Sequence, residues 1–268
     1  MDSKKYIEQL EHERNSKVIA YVTGDRDPFG TRIAGDVVPR LSGHLDRIGK
    51  TKKVSLFLYT TGGDMLPPVR IVKLIRNHCD SFEVLIPYKA YSAGTLIALG
   101  ADAIVMGKLG ELSPVDPTTA HPFNPQHPTN PQQLMPIGVE DLNSYFLFAK
   151  EKAGIKDDQM VEVYKMLVDK LHPLSIGNAY RTLRMAKFLT ERLLSLHMDG
   201  GAEDKGIQKI VKKLGDITIH AYPIDREEAK ELGLKVEVPN KTTEQLMWQL
   251  YEEYSEPMKL GQPFDPSE

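Results

Sequence analysis

The sequence predicts an α/β domain with a mostly parallel sheet, and three observations carry that prediction. First, Val54–Tyr59 and Phe82–Pro87 are short apolar runs rich in β-branched and aromatic residues, the composition of buried strands. Second, each run ends in a tight turn and then a helical pattern: Val69, Ile71, Val72, Leu74 and Ile75 after one, Leu96, Ile97, Ala98 and Leu99 after the other. Third, strand and helix alternate through the chain, which requires crossover connections between parallel strands. At 268 residues, 41% hydrophobic and 26% charged, the chain suits one globular domain able to bury a core without staples.

In order, Asp2–Asn15 reads as a polar helix with Tyr6, Ile7 and Leu10 on one side, an arm for a neighbour or the domain edge. Val18–Val22 is the first strand. A loop follows, and Ile33–Ile48 reads as a helix with Ile33, Val37, Val38, Leu41, Leu45 and Ile48 on one face. After the two strand–turn–helix units, Ala103–Met106 is a further strand. Seven prolines fall from Pro114 to Pro136, so residues 113–138 can be neither helix nor central strand and form a loop or a lid. Helices are expected at Val139–Lys152, Asp157–Leu171, Ser175–Leu196 and Gly201–Leu214, making 139–215 a helical region. Ile217–His220 reads as a short strand, Pro223–Leu234 as a helix, Lys235–Val238 as an edge strand and Thr242–Tyr254 as a last helix. The expected organisation is an arm at 1–16, one domain over 17–255, and a flexible tail over 256–268.

Composition excludes several function classes. Net charge is −3 and the isoelectric point about 6.3, with no basic stripe, which argues against a nucleic-acid partner. No segment approaches the roughly 18 consecutive apolar residues of a membrane span, and MDSKKYIEQLEHERNS has no apolar core like that of a signal peptide. Cys79 is the single cysteine, so no disulfide forms within the chain and a reducing cytoplasm is the expected location. Beside a helix end it reads as a small hydrophobe rather than a nucleophile. His121 and His127 lack acidic or cysteine company, so no metal site is expected. No cofactor is expected either.

The two turns can do chemistry. Gly62-Gly63 lets backbone N–H groups approach a ligand with no Cβ in the way, and amides at a helix start lack an intrahelical acceptor. Ser92, between Ala90 and Ala93-Gly94, would stand on a bend with its hydroxyl presented, the logic of a nucleophile elbow although G-x-S-x-G is absent. The Gly62, Gly63 and Ala93 amides would then form an oxyanion hole beside Ser92 Oγ.

The stretches TTGGD, YSAGTLIALGADAIVMG, LSPVDP, LHPLSIGNAYRTL and HAYPIDREEAKELGLKV resemble the serine dehydrogenase proteinase family. That family belongs to the clan of the Clp protease proteolytic subunit and signal peptide peptidase A, and the matches span roughly residues 18 to 238. The resemblance implies a ClpP/crotonase-like fold, a serine peptidase acting on peptide or protein substrates, and a homo-oligomer held by its helical region. An ATP-driven unfoldase partner is left open.

In the Clp-like relatives the base is a histidine on the strand after the serine's helix. Here that segment carries Asp116 instead, and the segment that supplies the acid in relatives carries His220. One solution is an exchange, with His220 as base and Asp116 orienting it, since triad order along a chain is free. Lys89, Lys150, Lys152 or Lys156 in a Ser–Lys dyad, and His172, are the other candidates. A crotonase-like acyl-CoA enzyme and a non-catalytic assembly or regulatory module are the competing functions.

Overall fold

The computed structural model describes residues 2–115, 118–119 and 121–265. The chain begins with α1 (Ser3–Arg14), β1 (Lys17–Val22), α2 (Val37–Ile48), β2 (Thr51–Tyr59), α3 (Pro67–Arg76), β3 (Cys79–Ile86), β4 (Lys89–Ala90), α4 (Ala93–Leu99), β5 (Ala103–Met106) and β6 (Glu111–Leu112). It continues through β7 (Thr118–Thr119), β8 (Gln126–His127), β9 (Asn130–Leu134), β10 (Ile137–Gly138), α5 (Val139–Glu151), α6 (Met160–Lys170) and α7 (Pro173–Leu194). It ends with α8 (Lys205–Asp216), α9 (Arg226–Leu232), β11 (Val236–Glu237) and α10 (Lys241–Met258). Two compact units result, Met1–Val115 with Leu189–Glu268, and Asp116–Phe188.

The first unit is built on a five-stranded sheet in the order β1-β2-β3-β5-β11, and every neighbouring pair is parallel, as the alternation predicts. Alternation along β2 sends Phe57 and Tyr59 into a core with Leu10 of α1 and Leu246, Met247, Leu250 and Tyr251 of α10. Leu58 faces the other way, toward α4. The α1 helix is thereby part of its own chain's core, and Leu10 is fully buried.

A charged residue interrupts β3. Glu83 is buried and receives Arg14 Nε and Nη2 at 3.0 and 2.7 Å, Lys53 Nζ at 2.7 Å and Ser55 Oγ at 2.6 Å. Arg14 also reaches Glu237 of β11 at 2.6 Å, so one guanidinium ties α1 to a central strand and to the sheet's edge. Burial alone would push the Glu83 carboxyl up; the bonds from Arg14, Lys53 and Ser55 outweigh it and hold it below the ordinary range.

Three segments differ from expectation. Helix α2 begins at Val37, because Ile33 is extended, fully buried and bridged in parallel to Gly63. Ile33 fits the helical spacing only because a core position in an extended segment is also apolar. Residues 217–220 form no strand: Ile217 is extended, but Ile219 and His220 are exposed in a turn. The segment expected to be a free tail is held through residue 264. Leu260 is buried, Gly261 N–H donates to Asp25 Oδ1 at 2.8 Å, and the Phe264 ring meets Phe29 edge-on at 4.7 Å.

In the second unit the proline-rich segment carries small antiparallel pairs, β7 with β10 and β8 with β9. Asn124 Nδ2 staples them, donating to Thr119 O at 2.8 Å and Met135 O at 3.0 Å. Among the described residues, no helix is long and apolar enough to cross a membrane.

Candidate active site

The first turn follows from how β2 ends. Thr60 leaves the ladder to bridge β4, donating its N–H to Lys89 O at 2.9 Å and accepting from Tyr91 N–H at 3.1 Å. Gly62 and Gly63 then take φ +120° and +151°, a region costly for residues with a Cβ. Space forbids a side chain as well: a methyl on Gly63 would stand 2.2 Å from Ile33 O. Ile33 donates to Gly62 O and accepts from Asp64 N–H, both at 2.8 Å, so one edge of this segment is occupied. The Gly63 N–H faces the other edge, with no acceptor among the described residues. Proline at the first two positions of α3 fixes the exit, where a missing N–H costs nothing.

The second turn carries the serine. Ser92 adopts φ 51°, ψ −107°, a strained conformation for a residue with a side chain. It sits between β4 and α4, a strand-to-helix elbow in which Gly94 N–H donates to Tyr91 O at 2.7 Å. Ser92 N–H donates to Ser113 Oγ at 2.8 Å, and Ser113 Oγ donates to Pro114 O at 3.1 Å. Thr95 Oγ1 reaches Ala90 O at 2.9 Å and Ser113 O at 2.8 Å, and accepts from Ser113 N–H at 3.1 Å. Thr95 and Ser113 are fully buried, so this network braces the elbow from inside. Beside it, Tyr91 Oη donates to Glu111; burial and that bond both push the Tyr91 phenol up.

The two turns meet. A methyl on Gly62 would lie 3.0 Å from Ser92 Cβ and 3.5 Å from Ser92 Oγ. Ser92 is 9% exposed, and no described residue hydrogen-bonds its Oγ. The Ala93 N–H likewise has no acceptor among the described residues. Of the three amides expected to face an oxyanion, Gly62 differs: its N–H already donates to Thr60 Oγ1 at 3.1 Å.

The expected bases are placed unequally. His220 is exposed; its segment approaches the elbow through Ile224, which exchanges two 2.9 Å bonds with Leu112, the neighbour of Ser113. Asp116 lies outside the described residues. Lys89 Nζ stands over the Tyr88 ring, 4.8 Å from its centroid. Lys150 pairs with Asp157 at 2.6 Å, and His172 stacks on Phe123 at 4.2 Å. Burial raises the Cys79 thiol, which disfavours the thiolate a nucleophile needs. His197, not singled out from sequence, bonds Leu99 O at 3.0 Å; the length of α4, about 10 Å, separates it from Ser92.

Residues 1–173 match the family of ClpP-like SDH-type serine proteinases. Two uncharacterized proteins of Methanocaldococcus jannaschii are similar, each 29% identical. One alignment covers 95% of this chain and 79% of the relative, the other 76% of this chain and 58% of the relative. With a parallel sheet, paired glycines beside an elbow serine, and a family match over well more than half its length, this chain belongs to the ClpP-like SDH-type serine proteinase family.

Proposed function

We propose that the protein is a serine peptidase with Ser92 as nucleophile. The observation that carries this reading is the strained elbow at Ser92 packed against the Gly62 turn, with the Gly63 and Ala93 N–H groups lacking acceptors among the described residues. In the proposed reaction Ser92 Oγ attacks a peptide carbonyl, and the two amides receive the charge that develops on its oxygen. Gly62 contributes by closeness, its missing side chain letting the turn lie against Ser92. His220 takes the serine proton and passes it to the leaving amine, with Asp116 orienting it. The acyl-enzyme is then released by water activated the same way. Substrate would run along the unoccupied edge of Gly63 as an added strand.

Residues 116–188 present exposed Phe148, Val161, Tyr164, Met166, Tyr180 and Phe188, which supports contact with a second copy. A cytoplasmic location remains the expectation from composition.

The test is turnover of an unfolded protein substrate by the wild type, Ser92→Ala and His220→Ala. The reading expects cleavage by the wild type, none by Ser92→Ala, and a loss in His220→Ala of about a hundredfold or more. One feature favours a second reading, a binding or assembly module: no described side chain bonds Ser92 Oγ. Peptide binding with no turnover in any of the three proteins would establish that alternative.

A further inference from the structure

We infer that Thr60 is a positioning residue that locks the glycine turn to the serine elbow; the inference rests on the peptidase reading for its catalytic consequence. Thr60 is fully buried between the two turns. Its hydroxyl holds both ends of one residue's polar backbone, accepting from Gly62 N–H at 3.1 Å and donating to Gly62 O at 3.3 Å. Thr23 Oγ1 donates to the same hydroxyl at 2.9 Å and fixes its rotor. Its backbone bridges Lys89 and Tyr91, the residues leading into Ser92.

The methyl acts on the other side. A Cβ on Gly94 would fall 2.5 Å from Thr60 Cγ2, so that methyl occupies the space the glycine leaves, at the second residue of α4. One side chain therefore sets the Gly62–Gly63 peptide with its oxygen and seats the start of α4 with its carbon. Releasing the hydroxyl leaves the peptide plane whose N–H is Gly63's held by the Ile33 N–H bond to Gly62 O alone, so that it can tilt relative to Ser92. Misplacement of this kind, without loss of any reacting group, costs up to about a hundredfold in rate.

Thr60→Val keeps the shape and the backbone bridges and removes only the hydroxyl, whereas Thr60→Ser keeps the hydroxyl and removes the methyl. Two readouts apply, amide hydrogen exchange at Gly62 and the rate of Ser92 acylation by a peptide p-nitrophenyl ester, read from the p-nitrophenolate released. In Thr60→Val, Gly62 exchange should accelerate and acylation should fall by about tenfold to a hundredfold. With a peptide substrate the loss should sit in kcat and leave KM near the wild-type value. Thr60→Ser should restore Gly62 protection and most of the rate. Should Thr60→Val fail to fold, Thr23→Val loosens the same hydroxyl and is read the same way. Unchanged Gly62 exchange in Thr60→Val overturns the inference whatever the enzyme does. A wild type that is never acylated, with Gly62 exchange responding as expected, would remove the peptidase reading and leave the positioning role standing. Acylation at the wild-type rate in Thr60→Val would overturn the role in catalysis.

Discussion

Two buried polar networks lie in the same unit and are built in opposite ways. Inside the sheet, Glu83, Arg14 and Lys53 form a charged cluster reinforced by Ser55. Beyond the strand ends, Thr60, Thr95 and Ser113 form a network of neutral hydroxyls around the elbow. Charges buried together are held by large opposing terms, so removing one partner is costly and the cluster's effect is on stability. Hydroxyls exert smaller forces but satisfy backbone groups that helix and ladder leave unpaired, so their effect is on geometry. The contrast separates what keeps this domain folded from what holds Ser92 at φ 51°.

The largest effect is expected at Glu83. Glu83→Ala leaves Arg14 without its buried carboxylate and should cost about 3–5 kcal/mol in chemical denaturation, while Ser92 acylation in the folded fraction stays unchanged. Stability should also depend on pH with a definite sign. The native carboxyl is held below its unfolded value of about 4.3. Its contribution is therefore present above that pH and is lost as pH falls through the lower native value. Denaturation between pH 6 and pH 3 should show a shallower fall in Glu83→Gln than in wild type; equal slopes would remove Glu83 as the source.

A middle-sized effect sharpens the hydroxyl side. Gly94→Ala forces a Cβ to 2.5 Å from the Thr60 methyl and should cost about 1–3 kcal/mol by overpacking. The next neighbour, Ala90 Cβ, stands at an ordinary 3.5 Å, so adding Thr60→Ser should recover most of the loss. Additive losses in the double variant would show that the two turns are not coupled there. The smallest effect has the opposite sign. Ser92→Gly relieves a positive φ and should raise stability by about 1 kcal/mol, or about 2–4 °C in Tm, while abolishing acylation. A lower Tm would mean that the elbow is not strained.

Much of this arrangement is legible in the sequence because periodicity and turn chemistry mark it. The strands at Val54–Tyr59 and Phe82–Pro87, the Gly62-Gly63 turn and Ser92 before a small-residue helix all announce themselves locally. The braces do not. Thr60, Thr95 and Ser113 are single hydroxyls that in sequence look like any turn or helix residue, and only the meeting of two distant turns gives them work. Glu83 did leave a signal, a carboxylate inside the apolar run SFEVLI, which demands a buried cation. Ile33 misleads because an extended core position matched helical spacing by chance. Residues 217–220 mislead in the reverse sense, having β-branched composition in a segment that leads into a turn.

Covalent labelling distinguishes a Ser92 that is a nucleophile seated by its backbone, as proposed, from one that is not. Purified protein treated with a fluorophosphonate should gain one adduct per chain, mapped by mass spectrometry to the peptide containing Ser92 and absent in Ser92→Ala. No adduct on a folded wild-type protein, or an adduct that persists in Ser92→Ala, would contradict that proposal.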